Sequence, residues 1–178
     1  MPSFAEHEVD YVRWQNRATR FYLAARLLHR HNQFAPAAFC ASQSLELLMK
    51  ASLVYWDRSF LPEHAKHSFT KLCRMIGNKV RGGKGFTCPT YFSADTRYHS
   101  VTRYPRKGGD FVAIPTQFMP DLDATFARLV SLVPFQFNTE LQRALSGRNR
   151  TDLRIIRHRN SSIRTLRRLL GVKVIKAT

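Results

Sequence analysis

Apolar side chains recur at alternating spacings of three and four residues along most of the chain. Tyr11, Trp14, Ala18, Phe21 and Ala25 form the first such stripe. This spacing matches the turn of an α-helix that buries one face. No segment of any length alternates with the period of two that a strand requires. The pattern predicts five helices in the first three quarters of the chain, at about 9–31, 34–56, 64–76, 91–104 and 120–133.

The second predicted helix differs from the others because apolar residues cover much of its circumference. Leu45, Leu48 and Leu53 lie on different sides of it. A helix that is apolar on several sides is usually central and contacts more than one neighbour. Its conspicuous polar residues are Gln43, Glu46 and Lys50. Glu46 and Lys50 stand one turn apart in the favourable order for an intrahelical ion pair.

The last forty residues have a different composition, with eleven basic and two acidic side chains from residue 138 onwards. Leu153, Ile156, Ile163, Leu166 and Leu170 indicate a helix with a weak apolar face. A second face of the same helix is predicted to carry five arginines, Arg150, Arg154, Arg157, Arg164 and Arg168.

These elements predict an all-α protein built as an antiparallel up-and-down bundle of four to five helices. We expect residues 1–136 to form the bundle and residues 137–178 to form a basic helical extension. The sequence leaves open whether this extension packs on the bundle.

Net charge narrows the expected partners. Lys and Arg number 29 against 12 Asp and Glu, which gives a formal charge of +17. Such an excess favours nucleic acid, anionic surfaces or phosphorylated ligands as partners. The apolar face of the C-terminal helix is too sparse for a membrane-surface helix, so no membrane association is expected.

The cysteines and the N-terminal residues indicate the cellular compartment in which the protein is expected. Cys40, Cys73 and Cys88 are odd in number and widely spaced, which argues against a disulfide framework and against a cysteine-based zinc site. We expect them to be small residues in or near the core. Acidic residues stand near the N-terminus where a signal peptide needs a basic run. The sequence therefore predicts a cytoplasmic protein, and it points to no metal site and no cofactor.

A glycine-rich basic segment, residues 77–85, falls between the third and fourth predicted helices. A phosphate-binding loop of the Walker type needs Ser or Thr after its lysine, whereas Lys84 is followed by Gly85. The segment is therefore interpreted as a flexible basic loop, which Gly77 begins by ending the third helix.

Three blocks of sequence resemble the HEPN family. Residues 34–51, FAPAAFCASQSLELLMKA, are similar to its second helix, whose pattern is roughly aromatic-x-x-A-x-F-x-A-x-Q-x-x-E-x-x-x-K-A. Residues 67–72, HSFTKL, resemble the family's H-x-L-x-x-L start of the third helix. Tyr98 and the sequence Arg103-Tyr104-Pro105 match its Y-x-x-x-x-R-Y-P segment in the fourth helix. The resemblance covers about residues 9–135 and leaves the C-terminal extension outside.

The resemblance implies a helical bundle, often dimeric, with a role in RNA or nucleotide biology. Many members of the family are ribonucleases of toxin–antitoxin and antiviral systems. These members use an R-x(4–6)-H motif without a metal, and the dimer brings two motifs together. Other members lack the motif and act as binding or accessory modules.

Two pairs in this chain have the spacing of the catalytic motif, Arg26 with His31 and Arg58 with His64. Chance alone yields about two or three such pairs in a chain this rich in arginine. Their positions are also unlike the family's, whose motif lies in a later helix. Neither pair is expected to be catalytic.

Other residues carry the candidate chemistry. Glu46 and Lys50 either form a polar cluster facing a groove or an ordinary ion pair. Arg103 and Tyr104 either bind a phosphate and stack a base or pack a helix terminus. His67, His99 and Arg103 are the candidates for a catalytic role, because RNA cleavage by its own 2′-OH needs groups that accept and donate protons. The alternative for His67 is a structural hydrogen bond at a helix start.

The C-terminal arginines make the strongest physical case for nucleic acid, since each phosphate contact releases counterions and arginine binds phosphate with two donors. The expected function is an RNA- or nucleotide-binding module in a toxin–antitoxin or defence system, without catalysis of its own and as a homodimer. One alternative is a metal-independent ribonuclease with a degenerate motif. Another is an adaptor that docks an acidic protein, such as a cognate antitoxin or a nucleotidyltransferase-like partner.

Overall fold

The computed structural model describes residues 4–65, 67–92, 114–135, 139–146 and 150–172. These ranges contain α-helices, short 3₁₀ segments and turns, without a strand, so the predicted all-α fold is confirmed. The 3₁₀ segments are Pro62–Ala65 and Thr90–Phe92. The α-helices are α1 (Phe4–Arg30), α2 (Phe34–Trp56), α3 (Phe69–Lys79), α4 (Phe118–Val130), α5 (Glu140–Ser146), α6 (Arg150–Arg157) and α7 (Ile163–Leu169).

Helix α2 is the centre of the bundle, as its apolar circumference predicted. It packs along α1 and also contacts α3 and α4. Leu45, Leu48 and Leu53 are fully buried on it. Its predicted bounds, Phe34 and Trp56, are confirmed. Within the described ranges, no helix has both the length and the apolarity needed to cross a bilayer.

The bounds predicted for the third helix were wrong at both ends. Helix α3 begins at Phe69, because the Ser68 side chain caps it by accepting a hydrogen bond from the Lys71 amide. It then continues through Gly77 to Lys79. Gly77 does not adopt the left-handed conformation by which glycine usually ends a helix, so it does not act as a stop signal.

The first and fifth predicted helices are present, and the fourth falls almost entirely outside the described residues. Helix α1 begins at Phe4, about five residues before the predicted start. Helix α4 confirms the predicted fifth helix, with Pro120 in its first turn, where a missing amide hydrogen costs little. The helix predicted at 91–104 lies outside the described residues except for Tyr91 and Phe92, which belong to a 3₁₀ segment.

The prediction of a single C-terminal helix was wrong. Residues 158–162 interrupt it and separate α6 from α7. Arg159 there has a φ of +49°, a left-handed conformation that no α-helix contains. The Asn160 side chain accepts a hydrogen bond from the Ser162 amide at 2.9 Å, which closes the turn before α7.

The C-terminal helices pack into the same core as α1–α4. Leu141, Leu145, Ile156 and Leu166 are buried within it. The domain boundary at residue 136 stays a prediction, with helices on both sides of it sharing one core.

A buried ion pair joins α1 to α4. Arg26 on α1 and Asp123 on α4 are both buried, and the Nη1 group of Arg26 donates to Oδ1 of Asp123. Tyr22, one turn earlier on α1, donates its hydroxyl to the same oxygen at 2.7 Å and stacks on Phe126. Burial raises the pKa of Asp123, and the charge of Arg26 opposes that rise. Removing either partner would leave the other charge uncompensated in the core.

The same arginine holds the turn after α6. Its Nε donates to the Ile155 carbonyl at 3.1 Å, and its Nη2 donates to the His158 carbonyl. Asn160 donates to the Tyr22 hydroxyl at 2.8 Å. We call Tyr22, Arg26, Asp123 and Asn160 the polar hub; it joins α1, α4 and the α6–α7 turn.

Asp123→Ala is expected to destabilise the protein by about 3–5 kcal/mol, because it leaves the buried Arg26 charge without its carboxylate. Chemical denaturation followed by circular dichroism measures this loss. Arg20→Ala is the control: Arg20 pairs with Glu140, but its side chain is 72% exposed, and losing a solvent-exposed ion pair has little effect on stability. Equal costs for the two variants would contradict a structural role for the hub.

Candidate functional site

Glu46 and Lys50 form a buried ion pair on α2. The Lys50 ammonium donates to Oε1 of Glu46 at 2.7 Å. The two residues are only 2% and 6% exposed. The predicted intrahelical pair is therefore present, but it is not the ordinary solvated pair. Two charges taken out of water lose about as much in hydration as they gain in attraction, so stability alone does not account for them.

His67 completes this cluster from the segment before α3. Its Nδ1 lies 3.1 Å from each carboxylate oxygen of Glu46. An ionised carboxylate only accepts hydrogen bonds, so Nδ1 carries the proton that is donated. In the neutral ring the lone pair is then on Nε2. The His67 side chain is 51% exposed and joins the buried charges to the surface.

Trp14 is a member of the cluster that sequence reasoning missed. The Lys50 ammonium lies 5.8 Å from the centre of the Trp14 ring, within range of a cation–π interaction. In the sequence Trp14 is simply part of the apolar stripe of α1, which gives no sign of a charged neighbour. The Glu46–His67 cluster, as we name Trp14, Glu46, Lys50 and His67, thus draws on α1, α2 and the start of α3.

The other residues predicted for this site cannot be placed. His99, Arg103 and Tyr104 lie outside the described residues, together with Tyr98 of the same block. The structure therefore brings together three of the six candidates predicted around the bundle, namely Glu46, Lys50 and His67.

The two pairs with the spacing of the catalytic motif are not brought together as sites. Arg26 is buried in the polar hub, where Asp123 and two carbonyls take its donors, while His31 is exposed. Arg58 is exposed, and the side chain of His64 lies outside the description. The buried role of Arg26 has one signal in the sequence: it follows Tyr22 by one turn on the inward side of α1.

The glycine-rich segment begins within α3 and continues after Lys79 as a succession of turns, so the predicted loop is shorter than residues 77–85. The Gly83 amide donates to the Val80 carbonyl, and the Phe86 amide donates to the Gly83 carbonyl. Val80 and Phe86 are buried and anchor the segment to the core. A Cβ atom at Gly83 would lie 2.3 Å from the Ile76 carbonyl oxygen, so close packing accounts for this glycine.

The five C-terminal arginines are all exposed, but they lie on two helices instead of one face. The turn at 158–162 redirects the chain between them. Arg150, Arg154 and Arg157 belong to α6, whereas Arg164 and Arg168 belong to α7. We call these five residues the arginine surface.

Positive charges also crowd each other between these helices. Loss of solvent lowers the pKa of Arg167 on α7, and the charge of Arg157 on α6 lowers it further. The Nε group of Arg167 is buried and has no hydrogen-bond partner among the described residues.

No group of three or more His, Cys, Asp or Glu side chains in the described ranges is arranged to hold a metal ion. The three cysteines are free thiols and partly buried.

A comparison with protein families gives one match, to the family described as HEPN domain, over residues 11–105. The match contains the blocks at 34–51, 67–72 and 98–105, so the resemblance seen in the sequence is confirmed. It ends before α4 and excludes the arginine surface. No curated protein and no solved structure gave a significant match.

His67 is expected to have the Nδ1–H tautomer in its neutral form, because Glu46 accepts that proton. The ¹⁵N shifts of the ring, measured well above the range in which histidines titrate, report the tautomer directly. In Glu46→Leu/Lys50→Met, which replaces the buried pair by apolar groups of similar size, we expect the Nδ1–H preference to be lost. A preference that survived this double change would mean that Glu46 does not orient the ring.

Proposed function

The chain belongs to the HEPN domain family, and from this premise we propose that it binds RNA through the arginine surface. HEPN domains generally have nucleotide- or RNA-related roles. We propose further that the protein acts as a homodimeric accessory module in a toxin–antitoxin or defence system, without catalysis of its own. The observation that carries RNA binding is the exposure of five arginines on two short helices that the bundle holds in place.

Charge gives these arginines their affinity for phosphate. Glu140 and Asp152 are the acids in the described ranges beyond residue 138, and Arg20 already binds Glu140 with three hydrogen bonds. The arginine surface therefore has little local acid to compete with RNA. Each guanidinium can donate two parallel hydrogen bonds to a phosphate and releases counterions on doing so.

The polar hub gives the surface a fixed shape. Arg26 binds the carbonyls of Ile155 and His158, and Asn160 binds Tyr22. A preordered surface loses less conformational entropy on binding than a flexible tail does. We therefore expect the C-terminal helices to bind RNA as part of the bundle.

An acidic protein is the competing partner for the same surface. A cognate antitoxin or a nucleotidyltransferase-like protein with an acidic face would complement it electrostatically. Salt-sensitive binding of RNA by the purified protein counts against an exclusive protein partner.

The Glu46–His67 cluster favours a second candidate function, metal-independent ribonuclease activity. A carboxylate that orients a half-exposed histidine is a common arrangement for proton transfer. In that reaction the 2′-oxygen attacks the adjacent phosphorus, and the bond to the 5′-oxygen breaks. One group accepts the 2′-OH proton and another protonates the leaving oxygen, which leaves a 2′,3′-cyclic phosphate. His67 is the residue that would perform one of these transfers.

Arg154→Gln/Arg168→Gln is expected to weaken the binding of single-stranded RNA roughly tenfold. It should also reduce the slope of log affinity against log salt concentration by about 1.4, because each lost phosphate contact reduces that slope by ~0.7. Mobility-shift or fluorescence titrations at several salt concentrations measure both. The matched control, Arg154→Lys/Arg168→Lys, keeps the charges and should keep most of the slope. Unchanged binding in the glutamine variant would reject this surface.

RNA incubated with the protein in EDTA is expected to be shifted but intact, as an accessory module requires. End-labelled RNA resolved on a denaturing gel tests this. His67→Ala separates the two functions, since it leaves Glu46 paired with Lys50 and the fold intact. Cleavage that His67→Ala abolishes would overturn the accessory role and establish the ribonuclease.

A further inference from the structure

A small cavity lies between the end of α1 and the end of α6, and none of the five arginines of the arginine surface lines it. Its volume is about 180 Å³. Met119 from α4 and Ile155 from α6 form its apolar part. The remaining lining residues are all polar or basic: Arg26, His29, Arg30, Asn32, His158 and Arg159.

The cavity has an excess of positive charge. Arg26 is neutralised by Asp123, but Arg30 and Arg159 are exposed and form no ion pair within the described part of the chain. None of the described lining residues is acidic. An anion of suitable size would therefore find two uncompensated guanidinium groups at the rim.

Both histidines of the cavity respond to these charges. Desolvation lowers the pKa of His29, and the nearby Arg26 and His158 lower it further. Desolvation also lowers the pKa of His158, followed by the charges of Arg30, Arg159 and Arg26. The groups are thus close enough to repel one another, which is the arrangement that a bound anion would relieve.

Helix capping does not account for these cations. The carbonyl ends of α1 and α6 attract positive charge, but other donors already bind carbonyls at both ends. At α6, Arg26 binds the Ile155 and His158 carbonyls. At α1, the backbone amides of Asn32 and Gln33 bind the carbonyls of the last turn. Arg30 and Arg159 are therefore not needed as caps.

The backbone conformation of Arg159 also supports a binding site at this cavity. Its φ of +49° is a conformation in which glycine is strongly preferred. An arginine in this conformation places a cation at the rim of the cavity against the local backbone preference. Strained residues of this kind are found disproportionately at binding sites.

We propose that this cavity binds the terminal phosphate of a phosphate monoester, with Arg30 and Arg159 as its charged clamp and His29 and His158 as hydrogen-bond donors. The phosphate would belong to a free nucleotide or to the 5′ end of an RNA. Only the choice between these two sources rests on the proposed function, since the residues that line the cavity are not those of the arginine surface.

Inorganic phosphate is the first probe. Histidine ring signals of the full chain are followed by NMR while phosphate is added at constant ionic strength, with chloride as the balancing anion. His29 and His158 should shift saturably, and their titration midpoints should move to higher pH as the bound dianion stabilises the imidazolium. Shifts spread equally over all histidines, or none at all, would overturn the proposal.

Arg30→Gln/Arg159→Gly should weaken phosphate binding at least tenfold. The glycine removes the cation and relieves the left-handed backbone, so this variant should unfold no earlier than the wild type in a thermal melt. The matched control is Arg74→Gln/Arg81→Gln, which removes two exposed charges at α3 and beyond it. If both variants lose the same amount of phosphate affinity, the loss reflects the net charge of the protein, which would contradict a specific site in this cavity.

Three further ligands identify the source of the phosphate: AMP, an oligoribonucleotide with a 5′-phosphate and the same oligonucleotide with a 5′-hydroxyl. Binding of AMP indicates a nucleotide, and a preference for the 5′-phosphorylated over the 5′-hydroxyl oligonucleotide indicates an RNA end. If inorganic phosphate binds but neither AMP nor the 5′-phosphorylated oligonucleotide does, the cavity holds an adventitious ion only, and the proposal is overturned. Arg154→Gln/Arg168→Gln should leave phosphate binding unchanged, so failure of this site and failure of the RNA surface are distinguishable.

Discussion

The ion pair between Arg26 and Asp123 is the contact on which the rest of the structure depends. One oxygen of Asp123 accepts from both Arg26 and Tyr22. Arg26 also donates to the Ile155 carbonyl of α6 and to the His158 carbonyl in the turn after it. A buried charge is costly unless a partner compensates it. Arg26 and Tyr22 both bind Oδ1 of Asp123, whereas Oδ2 is buried without a hydrogen-bond partner among the described residues. The pair therefore couples α1, α4 and the C-terminal helices into one unit. Both proposed binding regions, the arginine surface and the basic cavity, lie on the segment that it holds.

A second buried charge cluster lies on the central helix, within the part of the chain that matches the HEPN family. Glu46 and Lys50 are buried together, and His67 extends the pair to the surface. The apolar circumference that makes α2 central also makes these charges costly. Their position in the family's motif and their contact with a half-exposed histidine give the bundle a candidate centre for chemistry, distinct in its residues from the proposed RNA-binding surface.

The sequence predicts what local rules determine. The bounds of α2 follow from its flanking residues, and the Glu46–Lys50 pair follows from their spacing of one turn. The break between α6 and α7 could not be predicted in this way, because the residues that bind its turn, Tyr22 and Arg26, lie more than a hundred residues earlier. His67 was a candidate by its place in the family motif, but its contact with Glu46 joins residues from different elements. The start of α3 was predicted about five residues too early. The residues just before it form a separate 3₁₀ segment, Pro62–Ala65, and Ser68 caps the helix that begins at Phe69.

Cross-linking followed by mass spectrometry tests the central claim most directly, that RNA lies on the C-terminal helices which the hub fixes to the bundle. The protein is irradiated in complex with a photoreactive RNA, and the modified peptides are identified. The account predicts cross-links concentrated in residues 150–168. Cross-links confined to α1–α3, with none in α6 or α7, would contradict it and place RNA on the bundle itself.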